Sequence, residues 1–170
     1  MSNYKIRKAT VKDIERLNII AKSWMNKKEV SGENFEPTYF EKCISEGDLP
    51  PIKNASKDKY QLNVIEYNNA IIGFFDLYEG YPSKSSVWIS IFLIDMKERR
   101  KGHAKRVLGL IEETIDTGLY DNISIGVDLK NYSGLMFWTS NGFKEVISVF
   151  GDSNYSTEHF AVIALKKYLK

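Results

Sequence analysis

A basic turn that contains a glycine is the part of the sequence best suited to chemistry. Residues 99–104 read Arg-Arg-Lys-Gly-His-Ala. The first amides of a helix have no partner within the helix, and its dipole is positive there, so such a turn can bind an anion through its backbone. Arg99, Arg100 and Lys101 add positive charge, and Gly102 has no side chain that would hold a phosphate away from the amides. The turn is therefore predicted to bind phosphate.

The segments on both sides of this turn predict a strand followed by a helix. Residues 87–94 are mainly β-branched and aromatic and contain no proline, which is typical of a buried strand. After the turn, apolar residues recur at steps of three and four, as on one face of a helix: Ala104, Val107, Leu108, Ile111 and Ile115. Gly118 is predicted to end this helix, because glycine adopts the left-handed conformation of a C-cap at little cost.

A second segment downstream combines a polar residue, an aromatic pair and a glycine. Residues 131–143 begin at Asn131, contain Phe137 and Trp138, and end in Gly-Phe. The chain has neither the Gly-x-Gly-x-x-Gly pattern of dinucleotide-binding folds nor the Gly-x-x-x-x-Gly-Lys-Ser/Thr pattern of P-loops. Those two classes of phosphate ligand therefore have no support in the sequence.

The two segments together resemble the acyl-CoA-binding motifs of the GNAT superfamily of N-acetyltransferases. The first motif of that family, a strand followed by Arg/Gln-x-x-Gly-x-Gly/Ala, is matched by Arg99, Gly102 and Ala104. Its second motif, an asparagine, an aromatic pair and then Gly-Phe at a helix end, is matched by Asn131, Phe137, Trp138, Gly142 and Phe143. The resemblance implies an N-acetyltransferase that moves an acetyl group from acetyl-CoA directly to a primary amine, without a covalent enzyme intermediate.

The resemblance also implies where acetyl-CoA binds. The pantetheine arm is expected along the backbone of residues 92–94, and the pyrophosphate at the amides of residues 100–105. The backbone amide of Ile94 is expected to polarise the thioester carbonyl while the amine attacks. The side chain of His103 is expected to be exposed. The residues implied to bind the co-substrate are Phe92, Leu93, Ile94, Arg99, Arg100, Lys101, Gly102, His103, Ala104, Lys105, Asn131, Phe137 and Trp138.

The attacking amine must also lose a proton, because a lysine-like amine with a pKa of ~10.4 is almost entirely protonated at neutral pH. A positioned base typically contributes about 10²- to 10⁴-fold in rate. The predicted fourth strand has Trp88 and Ser90 on the relevant face and no acid. On the neighbouring strand, Asp76 and Glu79 face opposite sides by the period of two. We favour Glu79 as the base, because it lies near the strand end beside the loop where an acceptor could enter, and Asp128 is a third candidate.

Acceptor binding is expected at the loop and strand that border the thioester, through Tyr81, Trp88 and Ser90. Glu33, Glu36 and Glu41 either attract a cationic acceptor or simply face solvent. Trp138 stands where family members often have a tyrosine that protonates the departing thiolate, and an indole cannot act as that acid. This departure leaves a second hypothesis open, a CoA-thioester-binding module without transferase activity.

Composition limits the remaining classes of function. The 170 residues include 24 basic and 22 acidic side chains, a formal net charge of +2, so no broad basic face for nucleic acid is expected. The single cysteine excludes an internal disulfide, and no thiol or histidine cluster for a metal is expected. No apolar run reaches the ~18 residues of a membrane span, so a soluble protein is expected. The single cysteine fits a reducing compartment, so the protein is expected to be cytoplasmic. Its expected partner is a small-molecule or peptide amine, and it is expected to be a monomer or a homodimer.

The chain is predicted to form one α/β (α+β) domain over residues 1–170, with the element order β-α-α-β-β-β-α-β-α-β-β of the GNAT fold. The resemblance implies a mixed, mostly antiparallel twisted sheet of about seven strands, flanked by about four helices and splayed between the fourth and fifth strands. The predicted strands are residues 5–9, 61–67, 70–78, 87–94, 123–129, 143–150 and 158–165.

Overall fold

The computed structural model describes residues 3–154 and 156–169. The strands are β1 (Tyr4–Lys8), β2 (Tyr60–Tyr67), β3 (Ala70–Glu79), β4 (Ser86–Ile89), β5 (Phe92–Ile94), β6 (Asn122–Asp128), β7 (Glu145–Gly151) and β8 (Ala161–Tyr168). The α-helices are α1 (Ile14–Ser23), α2 (Lys27–Ser31), α3 (Tyr39–Ser45), α4 (His103–Thr114) and α5 (Tyr132–Ser140). Within the described ranges, no helix is long and apolar enough to cross a membrane.

The strands form one sheet, and its order confirms the predicted fold class. Neighbouring strands follow the order β1-β2-β3-β4-β6-β8-β7, and β5 pairs with β3 beyond the end of β4. The pairs are antiparallel except for β4 and β6, which run parallel. The predicted strand at residues 87–94 is divided into β4 and β5, which gives eight strands in the described part of the chain. The short helix α2 was not predicted.

The division of this strand follows from one side chain. The carboxylate of Asp76 on β3 accepts hydrogen bonds from the backbone amides of Ser90 and Ile91, at 2.8 and 3.0 Å. Because these amides are bonded to a side chain, the regular ladder is interrupted by a bulge after Ile89. β4 still pairs with β6, whereas β5 is paired with β3 alone among the described strands. The sheet is therefore open beyond Ile89, which agrees with the predicted splay.

Helices cover both faces of the sheet with their apolar sides. On one face, Leu17 and Ile20 of α1 and Phe40 of α3 pack against Phe74 of β3, and all four side chains are fully buried. On the opposite face, α4 packs against β2, β3 and β5, whereas α5 packs against β4, β6 and β8. The helices α4 and α5 therefore border the two sides of the opening.

Helix α4 ends at Thr114, four residues before the predicted end at Gly118. The next residue, Ile115, has an extended backbone with φ −78° and ψ 129°. The hydroxyl of Thr114 donates to the carbonyl of Ile111 at 2.8 Å, which satisfies one of the last carbonyls of the helix. Gly118 instead lies in a turn, where its amide donates to the carboxylate of Asp116 at 2.9 Å. The prediction was wrong because the β-branched Ile115 leaves the helix before the glycine is reached.

An ion-pair network fixes β1 against the start of α1. The guanidinium of Arg7 donates to both carboxylate oxygens of Asp13, at 2.8 and 2.9 Å, and to Glu66 at 2.6 Å. Asp13 is buried and also accepts a hydrogen bond from the amide of Thr10 at 2.8 Å. Arg7, which contributes most, holds the pKa of Asp13 at about 2. The charged form of Asp13 therefore stabilises the fold.

Replacing this carboxylate is expected to give a pH-dependent loss of stability. At pH 7, Asp13→Asn should lower the free energy of unfolding by about 2 kcal/mol, because charge-assisted hydrogen bonds are lost. Since the folded-state pKa of Asp13 lies below the unfolded value of ~3.8, its contribution is present above pH ~3.8 and is lost as the pH falls towards about 2. Urea unfolding of both proteins between pH 3 and 7 measures this difference, and a difference that does not change with pH would contradict the account.

Candidate functional site

The opening in the sheet holds two adjoining cavities. The first, which we name the α4 cavity, has a volume of about 630 Å³ and lies beside the basic turn at the start of α4. The second, which we name the α2 cavity, has a volume of about 500 Å³ and lies beside α2 and α3. Both cavities are lined by Trp24, Phe92, Asn131 and Trp138. A group bound in one cavity can therefore contact a group bound in the other.

The basic turn forms one wall of the α4 cavity. Arg99 is extended, while Arg100 with φ 62° and Gly102 with φ 85° are left-handed. The first hydrogen bond of α4 runs from the amide of Arg106 to the carbonyl of Gly102 at 3.2 Å, so the amides of residues 103–105 have no helical acceptor. A Cβ atom on Gly102 would meet no protein atom within 4 Å. The space in front of these amides is therefore open to an anion.

The three basic side chains of the turn occupy different positions. The Nε of Arg99 donates to the carbonyl of Ile94 at 3.0 Å, and burial lowers the pKa of Arg99 from its ordinary value. Arg100 is exposed and lines the α4 cavity. Lys101 forms an ion pair with Glu98, with 2.8 Å between Nζ and Oε2. Of the residues predicted to bind the co-substrate, Lys101 alone does not line the α4 cavity.

The side chain of His103 is buried, with 6% exposure, although the sequence analysis expected it to be exposed. Its Nδ1 shares a hydrogen bond with the hydroxyl of Tyr4 at 2.6 Å, and its Nε2 lies 3.5 Å from a carboxylate oxygen of Glu98. The ring of Tyr67 packs beside it, with 4.7 Å between ring centroids. The expectation was wrong because β1 and the end of β2 fold over this position. The imidazole fixes the turn to the sheet, and the His103 amide remains at the helix start.

Two peptide groups of β5 face the opening rather than a neighbouring strand. The amide of Asp95 donates to the carbonyl of Ile72, and the amide of Asp76 donates to the carbonyl of Ile91. Because antiparallel hydrogen bonds alternate along a strand, residues 91, 93 and 95 direct their peptide groups towards β3. The amides of Phe92 and Ile94 therefore point to the other side, where β6 has separated from the strand.

Aromatic side chains form the wall where the two cavities meet. The rings of Phe92 and Phe137 are stacked, with centroids 6.1 Å apart and an interplanar angle of 8°. Trp138 meets the Phe92 ring edge-on at 5.6 Å and packs against Phe143 at 4.9 Å. Trp138 is 8% exposed, so its indole is held firmly in the core.

Asn131 has a structural role in addition to its place in both cavities. Its side-chain oxygen accepts hydrogen bonds from the amide of Gly134 at 2.9 Å and from the hydroxyl of Ser133 at 3.2 Å. This is the contact of an N-cap residue, which satisfies an amide at the start of α5. The cap fixes the start of α5 at the junction of the two cavities.

The α2 cavity combines aromatic and acidic side chains. Phe35 lies between Trp24 and Tyr39, with ring centroids 6.5 and 5.2 Å away. The charged side chains of its lining are Lys27, Glu33, Glu36, Asp48 and Asp128. Glu41, also considered from the sequence, is exposed and lies outside this lining. In the ranges that the structure describes, no group of three or more histidine, cysteine or acidic side chains is placed to hold a metal ion.

Burial shifts the pKa of three charged groups in the α2 cavity. It raises the pKa of Asp48 and of Asp128, and it lowers the pKa of Lys27. Tyr39 donates its hydroxyl proton to Asp48 at 3.2 Å, and Lys27 donates to the backbone carbonyl of Glu33 at 2.9 Å. The sequence alone does not indicate Lys27, Tyr39 or Asp48 as site residues, because the connection between α1 and β2 carries no motif.

Beneath the opening, Asp76 is buried with 1% exposure. One carboxylate oxygen accepts the amides of Ser90 and Ile91, and the other accepts the hydroxyl of Ser90. Burial, the largest cause, raises the pKa of Asp76 to about 6, while its hydrogen bonds act in the opposite direction. Ser90 lines the α2 cavity. Its hydroxyl therefore connects that cavity to a buried carboxylate.

The structure does not bring Glu79, Tyr81 or Trp88 to either cavity. Glu79 is exposed and accepts a hydrogen bond from the hydroxyl of Tyr120 at 3.0 Å. Tyr81 and Trp88 pack against each other, with ring centroids 5.2 Å apart. These residues lie where β4 is paired with both β3 and β6, so the sheet is closed beside them. Of Tyr81, Trp88 and Ser90, Ser90 alone lines a cavity, because the opening begins at its bulge.

Comparison with known proteins assigns the family. The acetyltransferase (GNAT) family profile matches residues 24–143, a range that contains both cavity-lining motifs. The chain belongs to the GNAT acetyltransferase family. This result confirms the resemblance that the two motifs indicated. Members of the family use acetyl-CoA as the co-substrate of acetyl transfer.

Solved structures of other acetyltransferases share the fold. An acetyltransferase from Thermus thermophilus superposes with a TM-score of 0.74 at 14% identity, covering 99% of this chain and 98% of that one. An N-acetyltransferase from Staphylococcus aureus gives 0.68 at 19% identity, covering 99% and 100%. The ribosomal-protein-alanine N-acetyltransferase from Brucella melitensis gives 0.70 at 16% identity, covering 97% and 99%. At these identities the likeness concerns the fold. The comparison with curated protein sequences gives no significant match.

Removing the cap at the junction is expected to weaken α5 measurably. Asn131→Ala should lower the free energy of unfolding by about 1 kcal/mol, because the Gly134 amide loses its acceptor. Asn131→Asp keeps a side-chain oxygen at the same position and should preserve the stability. Urea unfolding of the three proteins measures both effects. Equal stability of Asn131→Ala and the unsubstituted protein would contradict a capping role.

Proposed function

We propose that this protein is an acetyl-CoA-dependent N-acetyltransferase that moves the acetyl group directly to a primary amine of a small molecule or peptide. The observation that carries this proposal is that the two cavities meet at Phe92 and Trp138, beside peptide groups of β5 that face the opening. A thioester in the α4 cavity and an amine in the α2 cavity would meet at this junction. No covalent intermediate on the enzyme is then needed.

The turn at the start of α4 is proposed to bind the pyrophosphate of CoA. The amides of residues 103–105 lack helical acceptors, and the helix dipole adds positive potential at the same place. Arg99 and Arg100 line the cavity and supply charge. Lys101 contributes to the local potential rather than by contact, because it is paired with Glu98 outside the lining.

The strand amides beside the opening are proposed to hold the pantetheine arm and the thioester. The amide of Ile94 polarises the thioester carbonyl and stabilises the negative charge that forms on its oxygen during attack. Removing one donor of this kind typically costs about 10²- to 10³-fold in rate. The Nε of Arg99 donates a hydrogen bond to the carbonyl oxygen of Ile94 at 3.0 Å, which keeps this part of the strand in place.

The α2 cavity is proposed to bind the acceptor amine. Its lining includes Glu33, Glu36, Asp48 and Asp128, and these carboxylates attract a cationic acceptor before it loses its proton. Trp24 lines both cavities and would contact the acceptor close to the thioester.

The departing CoA thiolate requires no tyrosine in this proposal. A thiol has a pKa of ~8.5, so the thiolate is a moderately stable leaving group at neutral pH. Water can protonate the thiolate. The hydroxyl of Ser133, which lines the α4 cavity, can donate a hydrogen bond to it, whereas Tyr132 is exposed and lies outside the lining. The indole of Trp138 at this wall favours the second candidate, a CoA-thioester-binding module without transferase activity.

A glycine substitution with a matched control tests the proposed co-substrate site. Gly102→Glu places a negative side chain in the open space before the turn and should abolish binding of acetyl-CoA. Gly80→Glu imposes a similar backbone strain, since both residues have φ +85°, but it lies outside both cavities. At 100 times the dissociation constant, acetyl-CoA should stabilise the unsubstituted protein and Gly80→Glu by about 2.7 kcal/mol. This corresponds to a rise of about 5 to 10 °C in Tm.

Thermal unfolding with acetyl-CoA, CoA and ATP provides the measurement. Both CoA species should raise the Tm, ATP should not, and Gly102→Glu should respond to none of them. No shift of the unsubstituted protein at saturating acetyl-CoA would contradict the proposal. Release of free CoA thiol with a panel of lysine, a diamine and an alanyl peptide then separates the two candidates, because the binding module predicts a thermal shift without release.

A further inference from the structure

Asp76 differs from the other buried carboxylates of the described chain in having no cationic partner. Asp13 pairs with Arg7 at 2.8 Å, and Asp95 pairs with Arg16 at 2.7 Å. In the described ranges, Asp76 takes part in no ion pair. A buried carboxylate without a cation binds a proton more readily than an exposed one. Asp76 is therefore the buried carboxylate best suited to accept a proton.

The two oxygens of Asp76 have separate functions. Oδ1 accepts the backbone amides of Ser90 and Ile91, and these bonds fix the bulge. Oδ2 accepts the hydroxyl of Ser90, which lines the α2 cavity. A hydroxyl can accept a proton from one side while it donates its own proton to the other. Ser90 thus forms a path for a proton from the cavity to Oδ2.

The titratable groups around Asp76 are acids. Tyr39 and Cys43 from α3, Asp48 from the segment that follows, and Tyr60 from β2 act on it electrostatically. Burial raises the pKa of all four of these groups. With its own pKa at about 6, Asp76 is mainly ionised at neutral pH and still basic enough to take a proton.

We propose that Ser90 accepts a proton from the attacking amine and passes its own hydroxyl proton to Asp76. This inference rests on the proposed transferase function. Ser90 is the catalytic residue, because it touches the amine, and Asp76 is a positioning residue that acts through it. The base is then neither Glu79, which the sequence analysis favoured, nor Asp128.

The proton and electron balance of the step is complete. The ammonium form of the acceptor first gives one proton to water. The lone pair of the resulting neutral amine forms a C–N bond to the thioester carbon, which makes the amine nitrogen acidic. That nitrogen gives a proton to Ser90 Oγ while the Ser90 proton moves to Asp76 Oδ2. The C–S bond then breaks, and its electron pair leaves with the CoA sulfur. Asp76 returns its proton through Ser90 to water, and the thiolate takes a proton from water.

Three substitutions test this path with the fastest-acetylated amine of the panel above. Asp76→Asn keeps an oxygen for the two backbone amides but cannot hold the proton. Ser90→Ala removes the relay and leaves Asp76 in place, and Ser90→Thr keeps the hydroxyl. We expect kcat to fall about 10²- to 10⁴-fold in Asp76→Asn and Ser90→Ala, and to be largely retained in Ser90→Thr. The KM for acetyl-CoA and the thermal shift with acetyl-CoA should change little in all three variants.

The pH profile of kcat separates this role from a structural one. In the unsubstituted protein, kcat should fall below about pH 6, and this acid limb should be absent in Asp76→Asn and Ser90→Ala. An acid limb that persists in those variants, or that is lost instead in Asp128→Asn or Glu79→Gln, would overturn the relay. If the unsubstituted protein acetylated no amine at all, the transferase function itself would fail and the relay with it.

A titration without substrate provides a readout independent of activity. The carboxyl carbon of Asp76 should titrate by NMR with a midpoint of about pH 6. In Ser90→Ala this midpoint should move upward, because the hydroxyl bond favours the charged form of Asp76. A midpoint near the ~3.9 of an ordinary aspartate would overturn the proposal, even if Asp76→Asn failed to fold.

Discussion

The hydrogen bonds that Asp76 accepts from the backbone of Ser90 and Ile91 determine where the sheet opens. They replace ladder bonds of the strand, so β4 ends at Ile89 and β5 continues with β3 alone among the described strands. The opening leaves the amides of Phe92 and Ile94 facing a cleft. Burial of a carboxylate is unfavourable, and three hydrogen bonds offset this cost. The same interaction therefore shapes the site and raises the pKa of the group beneath it.

The elements around the opening are fixed by hydrogen bonds and packing of residues at its edge. The turn before α4 is held through His103, which is buried against Tyr4 and Tyr67. The start of α5 is held by its cap at Asn131. Backbone amides and aromatic rings thus line the site, and the side chains of His103 and Asn131 set the positions of the helix starts that carry those amides. Such an arrangement suits catalysis by preorganised donors, which need little movement as charge develops.

Periodicity and local motifs predicted the order of the elements, the turn at Arg99 and the helix that carries Trp138, because these depend on residues close in sequence. The bulge at Ser90 could not be predicted, since it depends on the side chain of Asp76, fourteen residues earlier in the sequence. The burial of His103 depends on Tyr4, ninety-nine residues away in the sequence. The lining of the α2 cavity depends on the irregular connection after α1, whose position is set by tertiary packing alone.

The central claim is that the opened strand and the helix start bind acetyl-CoA through their backbone amides. Amide hydrogen exchange by NMR, with and without acetyl-CoA, tests this claim most directly. We predict slower exchange at Phe92, Ile94 and residues 103–105. Leu93 should show little change, because its amide faces β3. Binding of acetyl-CoA with unchanged exchange at Phe92 and Ile94 would contradict the account.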